Sequence, residues 1–355
     1  MTKKFVSLAL SILIILSCIL NPKIQVKATP INVNARCSIA VDAKSKIVLF
    51  EKSSHDIVPM ASTTKIITAL VAIKYGNLDK KVEISEKAAK INGSTVGYKK
   101  GEQISLRELL VGLMLRSGND AAIAISEGLA GSVEEFVRLM NEYGNEIGLM
   151  DTHFESPHGL DSEYHYTTAY DLAIATIKAK ENEIFTEIVG SKVFHGEEYG
   201  FSRSYNNINK ILWLIPEADG VKTGYTGNAG KCLVTSLKIQ SNDVVVVVLN
   251  SSTRWEETKK ITEYIDKNYS YKKMFSKGDV AGEFETKKRN VKMVYRNDII
   301  IPMRNDKNYF VKLVKPEEVN MKISKGDKVG ELSIYSEDKL IYSDFLKAEF
   351  YYNEH

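Results

Sequence analysis

The sequence predicts an α+β fold: an antiparallel five-stranded sheet with helices on both sides and a large helical insertion, followed by a small all-β domain. Three observations predict it. Strand-type runs lie at residues 37–52 and return at 219–250. Between them, roughly residues 60–190 carry helical periodicity and readable helix starts. After residue 273, short β-type runs separated by Gly and Asn/Asp turns recur to the end of the 355-residue chain.

The elements follow in order. Cys37–Ala43 and Lys46–Lys52 read as a hairpin across a polar turn. Ser62 to Tyr75 is apolar nearly all round, the mark of a buried central helix. Ser105 with Glu108, Ser132 with Glu135 and Thr168 with Asp171 fit capping boxes or their Asp variant. Gly148 reads as a helix stop. Strands are expected at Asp219–Tyr225, Lys231–Ile239 and Asp243–Asn250; the valine run 244–248 suits a strand buried on both faces. A helix over Trp255–Asn268 closes this part. Further strands are expected at Val291–Tyr295, Ile299–Pro302, Phe310–Val314, Val319–Ile323 and Leu332–Ser336.

Composition is ordinary for a globular chain, 44% hydrophobic and 26% charged, which excludes whole-chain disorder or coiled coil. The formal charge of +3 falls to −1 once the four lysines of residues 1–28 are set aside. Nothing in that balance suits nucleic acid. Residues 1–28 read as an export signal: Lys3 and Lys4, an apolar run from Phe5 to Leu20, and a small-residue cleavage site ending at Ala28. An uncleaved anchor is the alternative, and a lipid on Cys18 a third, poorly supported by Leu16. The expected division is therefore a signal at 1–28, a domain at 29–273 and an all-β domain at 274–355. Cys37 and Cys232 could pair in an exported chain, which spacing alone does not decide, but both sit in apolar strand-like stretches and read better as small buried hydrophobes. No spacing supports a zinc site, so no metal is expected.

Three short motifs carry chemistry: Ser62-Thr63-Thr64-Lys65, Ser117-Gly118-Asn119 and Lys222-Thr223-Gly224. Each alone is weak, since Ser270–Lys273, Ser336–Lys339 and Ser204–Asn206 match the same patterns. Context separates them. Ser62 opens a buried helix, and Lys65 lies one turn on, on the same face. A desolvated lysine beside a second cation, such as Lys222, can lose its proton and serve as the base for a hydroxyl. Ser117 and Asn119 lie in a tight loop between helices Leu106–Arg116 and Asp120–Leu129, able to relay a proton and to hold a substrate backbone. The plainer alternative there is helix capping by Asn119 or Asp120. Lys222 and Thr223 offer a cation and a hydroxyl to a carboxylate. Gly224 lets a peptide approach the strand. The Tyr225 N–H could pair with that of Ser62 as an oxyanion hole.

The ordered set resembles the low-molecular-mass penicillin-binding proteins, specifically the serine D-alanyl-D-alanine carboxypeptidases. The likeness extends through Pro59 to Lys65, Leu115 to Ala122, Pro157 to Leu160, His165 to Leu172 and Asp219 to Thr226. The resemblance implies a β-lactamase/transpeptidase-like fold and no cofactor. It implies Ser62, Lys65, Ser117 and Asn119 as catalytic residues, and Lys222, Thr223, Gly224 and Tyr225 as substrate-binding residues. The implied substrates are peptidoglycan stem peptides ending in D-Ala-D-Ala, cleaved through a Ser62 acyl-enzyme that β-lactams would also form. The implied location is extracytoplasmic, at the cell wall or outer face of the membrane, with a role in wall biogenesis and cell shape and scope for peripheral association. The segment 347–355 is too short and acidic for an amphipathic membrane helix.

Two rival functions share these motifs. A class A-like β-lactamase would need a deacylating glutamate in an ExxLN context, and Glu155, Glu163, Glu181 and Glu183 lack it. A β-lactam or wall-fragment sensor would acylate once and stall. Arg254 is as well explained by solvation as by substrate binding. His153, His158 and His165 read as loop-stabilising, Lys287–Arg289 as a solvated loop, and Trp213 and Trp255 as packing residues.

Overall fold

The computed structural model describes residues 29–286, 290–316 and 323–350. The signal at 1–28 with Cys18, the run Lys287–Arg289, most of the strand expected at Val319–Ile323, and the final five residues lie outside the described residues.

The central sheet has five antiparallel strands, in the order Val48–Lys52, Cys37–Asp42, Asn242–Leu249, Gly230–Ile239 and Ala218–Thr226. The valine strand shows why both faces fill. Side chains alternate along a strand. Val245, Val247 and Leu249 therefore join one core, with Ala173 and Ile177 of helix Ala169–Lys180. Val244, Val246 and Val248 join the other, with Ile261 and Ile265 of helix Arg254–Asn268. Each such buried aliphatic side chain contributes about 1.5–3 kcal/mol. Cys37 and Cys232 are buried and free. Their strands flank the valine strand on opposite sides, so about two strand spacings separate them, roughly 9–10 Å, too far for a disulfide.

The helical block lies between the second and third strands in sequence. Helices Lys65–Tyr75, Leu106–Leu115 and Asn119–Ala130 are almost wholly buried. The caps form by half. Ser105, Ser132 and Thr168 accept from the N–H groups of Glu108, Glu135 and Asp171. The acids turn elsewhere: Glu108 to Ser202 and Tyr205, Glu135 to Arg138, Asp171 to Thr152. Helix Val133–Glu146 ends where Gly148 takes φ 86°.

Strand Tyr269–Phe275 pairs antiparallel with Ile299–Arg304, crossing the division expected at 273/274. A second five-stranded sheet follows, in the order Val280–Glu285, Asn290–Tyr295, Lys339–Glu349, Lys328–Ser336 and Tyr309–Val314. Its core is continuous with the face under helix Arg254–Asn268. The Tyr269 hydroxyl donates to the Leu49 carbonyl at 2.7 Å, and that of Tyr271 to Asp42 at 2.9 Å.

Candidate active site

Ser62 sits in a 3-10 turn, Ala61–Thr64, and the α-helix begins only at Lys65. The sequence suggests a helix from Ser62 itself. The tighter turn has a local cause. Thr63 Oγ1 donates to the Met60 carbonyl at 2.5 Å and Thr64 Oγ1 to that of Ala61 at 2.8 Å, each spanning three residues. Ala61 takes φ 50°, a left-handed conformation that costs a non-glycine residue about 1–3 kcal/mol.

The Lys65 side chain is fully buried. Its Nζ lies 2.9 Å from Ser62 Oγ, 2.8 Å from Asn119 Oδ1 and 2.8 Å from the His158 carbonyl oxygen. Burial, reinforced by the Lys222 charge and opposed by Asp120, holds its basicity well below the usual lysine range. A neutral amine has two hydrogens and one lone pair. Asn119 Oδ1 and the His158 carbonyl can only accept, so they take the two hydrogens. Ser62 Oγ is the one of these partners able to donate, so in the neutral form of the amine the lone pair would face the serine proton.

Ser117 takes φ 59° between the two helices, and its Oγ accepts from Lys222 Nζ at 2.9 Å. Lys222 also donates to the Thr223 carbonyl at 2.7 Å. Burial, and then Arg254, lower its pKa to about 7. Asn119 Nδ2 donates to the Asn92 carbonyl at 2.7 Å, which fixes its amide with Oδ1 toward Lys65. Helix Asn119–Ala130 has Gly118 at its N-cap and no side-chain cap there. Asp120, the alternative cap, accepts from the Ala121 N–H in the helix's first turn and also from the N–H groups of Val96, Gly97 and Tyr98. It thereby binds the neighbouring loop to the site.

Strand Ala218–Thr226 runs against the turn that carries Ser62. A Cβ on Gly224 would lie 3.1 Å from Ser62 N, so a side chain there would crowd the serine backbone. Thr223 is buried to 9% exposure, and Tyr225 is 68% exposed at the rim. The Arg254 guanidinium donates to the carbonyls of Gly224 and Cys232 at 3.0 and 3.2 Å, and stacks over Trp255. It is a brace for this strand rather than a solvated surface charge.

The structure thus brings Ser62, Lys65, Ser117, Asn119, Lys222, Thr223 and Gly224 together, with Tyr225 beside them. The other SxxK matches fall in the β strand at Ser270 and the hairpin at Ser336, away from this site. Sequence reasoning missed the His158 carbonyl, the Asn92 carbonyl and the Asp120 clasp. Only the match at Pro157 to Leu160 pointed toward the first. The His158 ring accepts from Leu160 N and His153 Nδ1 meets the Tyr164 carbonyl, both loop contacts as expected. Trp213 does not pack as expected. It is 54% exposed, because the short turn Ile211–Leu214 buries Ile211 and Leu212 on its opposite face.

A serine hydroxyl facing a buried, weakly basic lysine, on this sheet-and-helix frame, defines the class: a penicillin-binding serine hydrolase. The D-alanyl-D-alanine carboxypeptidase family model matches residues 24–253, and the penicillin-binding protein 5 C-terminal domain model matches 269–353. The carboxypeptidase DacF of Bacillus subtilis is 31% identical over 324 residues, covering 86% of this chain and 83% of its own. Penicillin-binding protein 5 of Haemophilus influenzae superimposes with TM-score 0.80 at 28% identity, over 91% of this chain and 98% of that one. A point mutant of Streptomyces K15 DD-transpeptidase gives 0.62 at 30% identity, over 66% and 98%. The chain belongs to the D-alanyl-D-alanine carboxypeptidase family, and is a serine-type carboxypeptidase of peptidoglycan metabolism.

Proposed function

We propose that Ser62 is the nucleophile and Lys65 its base. The observation that carries this is the buried Lys65 Nζ 2.9 Å from Ser62 Oγ. Lys65 takes the Ser62 proton as Oγ attacks the carbonyl carbon between the last two D-alanines of a stem peptide. The N–H groups of Ser62 and Tyr225 hold the oxyanion, each worth about 2.7–4 kcal/mol of barrier. Lys222 and Thr223 bind the terminal carboxylate, and Asn119 the substrate backbone. The C–N bond breaks, the Oγ ester remains, and the departing D-alanine amine takes its proton through Ser117. Water then hydrolyses the ester. A β-lactam forms the same ester with its ring-opened nitrogen as leaving group.

The chain would act outside the cytoplasm, delivered by a signal at 1–28, in wall biogenesis and cell shape. A first unit ending with helix Arg254–Asn268 and a β unit beginning at strand Tyr269–Phe275 would divide chemistry from placement on the wall or membrane. Among the described residues no helix is long and apolar enough to cross a membrane.

The test is D-alanine release from a peptide ending in D-Ala-D-Ala, parent against Ser62→Ala. One D-alanine per peptide from the parent and none from the variant is the expected result. Equal release from both would overturn the assignment.

A further inference from the structure

The Ala61 carbonyl, next to the nucleophile, is the end of a buried hydrogen-bond chain. Thr64 Oγ1 donates to it at 2.8 Å and lies 2.7 Å from His165 Nε2. On the far side of the ring, the Glu155 N–H donates to His165 Nδ1 at 3.0 Å. A backbone N–H can only donate, so Nδ1 carries no proton and Nε2 does. Thr64 has one proton, already given to Ala61, so its oxygen accepts from Nε2. The polarity is fixed throughout: Glu155 N–H to His165, His165 to Thr64, Thr64 to the Ala61 carbonyl. Burial, against the opposing charge of the nearby Glu155, lowers the ring's pKa to about 4 and keeps it neutral.

The chain ends on a strained point. Ala61 holds φ 50° directly before Ser62. Gly159 closes over the same oxygens, since a Cβ there would lie 2.0 Å from the Ala61 oxygen and 2.5 Å from Thr64 Oγ1. One residue before Gly159, the His158 carbonyl receives the Lys65 amine. A single segment, residues 155–165, thus grips the base at one point and the nucleophile's turn at another.

We propose that His165 and Thr64 are positioning residues for acylation: their directed hydrogen bonds hold the Ala61 turn so that Ser62 Oγ and its backbone N–H are aimed together. The proposal rests on Ser62 as nucleophile. Displacing a reacting group by about 1 Å costs roughly 100-fold in rate.

The experiment measures acylation of the full chain by a fluorescent penicillin, separating noncovalent affinity from the acylation rate constant. Ser62→Ala is the first control, and labelling of that variant would defeat the nucleophile assignment itself. Given that control, Thr64→Val and His165→Phe should each lower the rate constant about 10- to 100-fold with affinity held within about twofold. Thr64→Ser should recover most of it. The double variant should be no slower than the worse single one, because both cut one chain. Parent-like rates, losses that multiply in the double variant, a loss confined to affinity, or no recovery by Thr64→Ser would overturn the proposal. Nitrogen-15 NMR of the parent's ring is a check independent of variant folding. The Nε2–H tautomer is expected at neutral pH, and an Nδ1–H tautomer would overturn the chain's polarity.

Discussion

Lys222 lowers the basicity of Lys65. The two amines share one buried site, Lys222 donating to Ser117 and Lys65 to Asn119, and the charge of Lys222 disfavours a proton on Lys65. Desolvation is the larger cause for both. The site thus keeps Lys65 free of its proton under conditions where an exposed lysine would hold it.

Removing the second cation should therefore restore basicity. In Lys222→Gln, Lys65 keeps its proton to higher pH, and the rising, acid limb of the acylation profile moves toward alkali. The Lys222 amine itself titrates at about 7, so the difference from the parent should be widest below that value. The pH dependence of penicillin acylation checks it; an unmoved limb would contradict the coupling.

Asp120 should act in the opposite sense. Its carboxylate raises Lys65's affinity for a proton. Asp120→Asn removes that charge, so the acid limb should move to lower pH. The same change puts an amide where four backbone N–H groups now donate, and should cost about 1.5–3 kcal/mol of stability. Parallel pH profiles and denaturant melts separate the two effects.

Stability should rise with pH on account of Lys222. Its folded pKa of about 7 lies below the ordinary 10.5, so between these values the unfolded chain binds a proton that the folded chain does not. Unfolding is then disfavoured as pH increases through that window. Lys222→Met should flatten this slope while abolishing efficient turnover. Urea midpoints at about pH 7 and pH 10, the two ends of that window, make the comparison, and an unchanged slope would count against the buried amine.

Gly159→Ala should damage fold and site at once. The added methyl meets the Ala61 oxygen at 2.0 Å, and the backbone there has φ 84°. Overpacking of this kind costs about 1–3 kcal/mol, with the left-handed backbone adding to it. The melting temperature should fall, and acylation of the remaining folded protein should slow.

The sheet, the buried helix and the three motifs were legible because each is written locally. The valine run, the Ser and Thr caps and the Ser62–Lys65 spacing need no knowledge of the rest of the chain. What escaped depends on distant partners. The acids of the capping boxes turn to tertiary donors, as Glu108 does to Tyr205 across 97 residues. The His158 and Asn92 carbonyls act through backbone atoms, which carry no residue signature. Strands Tyr269–Phe275, Val280–Glu285 and Lys339–Glu349 were missed because lysine, glutamate and glycine blur their alternation. Trp213 shows the limit of composition: a large aromatic ring predicts burial, yet the turn carrying it spends Ile211 and Leu212 on the core instead.

The pairing of Cys37–Asp42 with Asn242–Leu249 has a consequence for how the chain is born. Cys37 lies opposite Leu249, about 200 residues later. A nascent chain can form its first hairpin early, but the inner edge of that hairpin stays open until the valine strand has been made. So remote a contact slows folding and leaves an apolar edge exposed meanwhile. Synthesis cut short just before residue 242 would yield a chain with Ser62 and Lys65 both present and two hairpins with no central strand to join them.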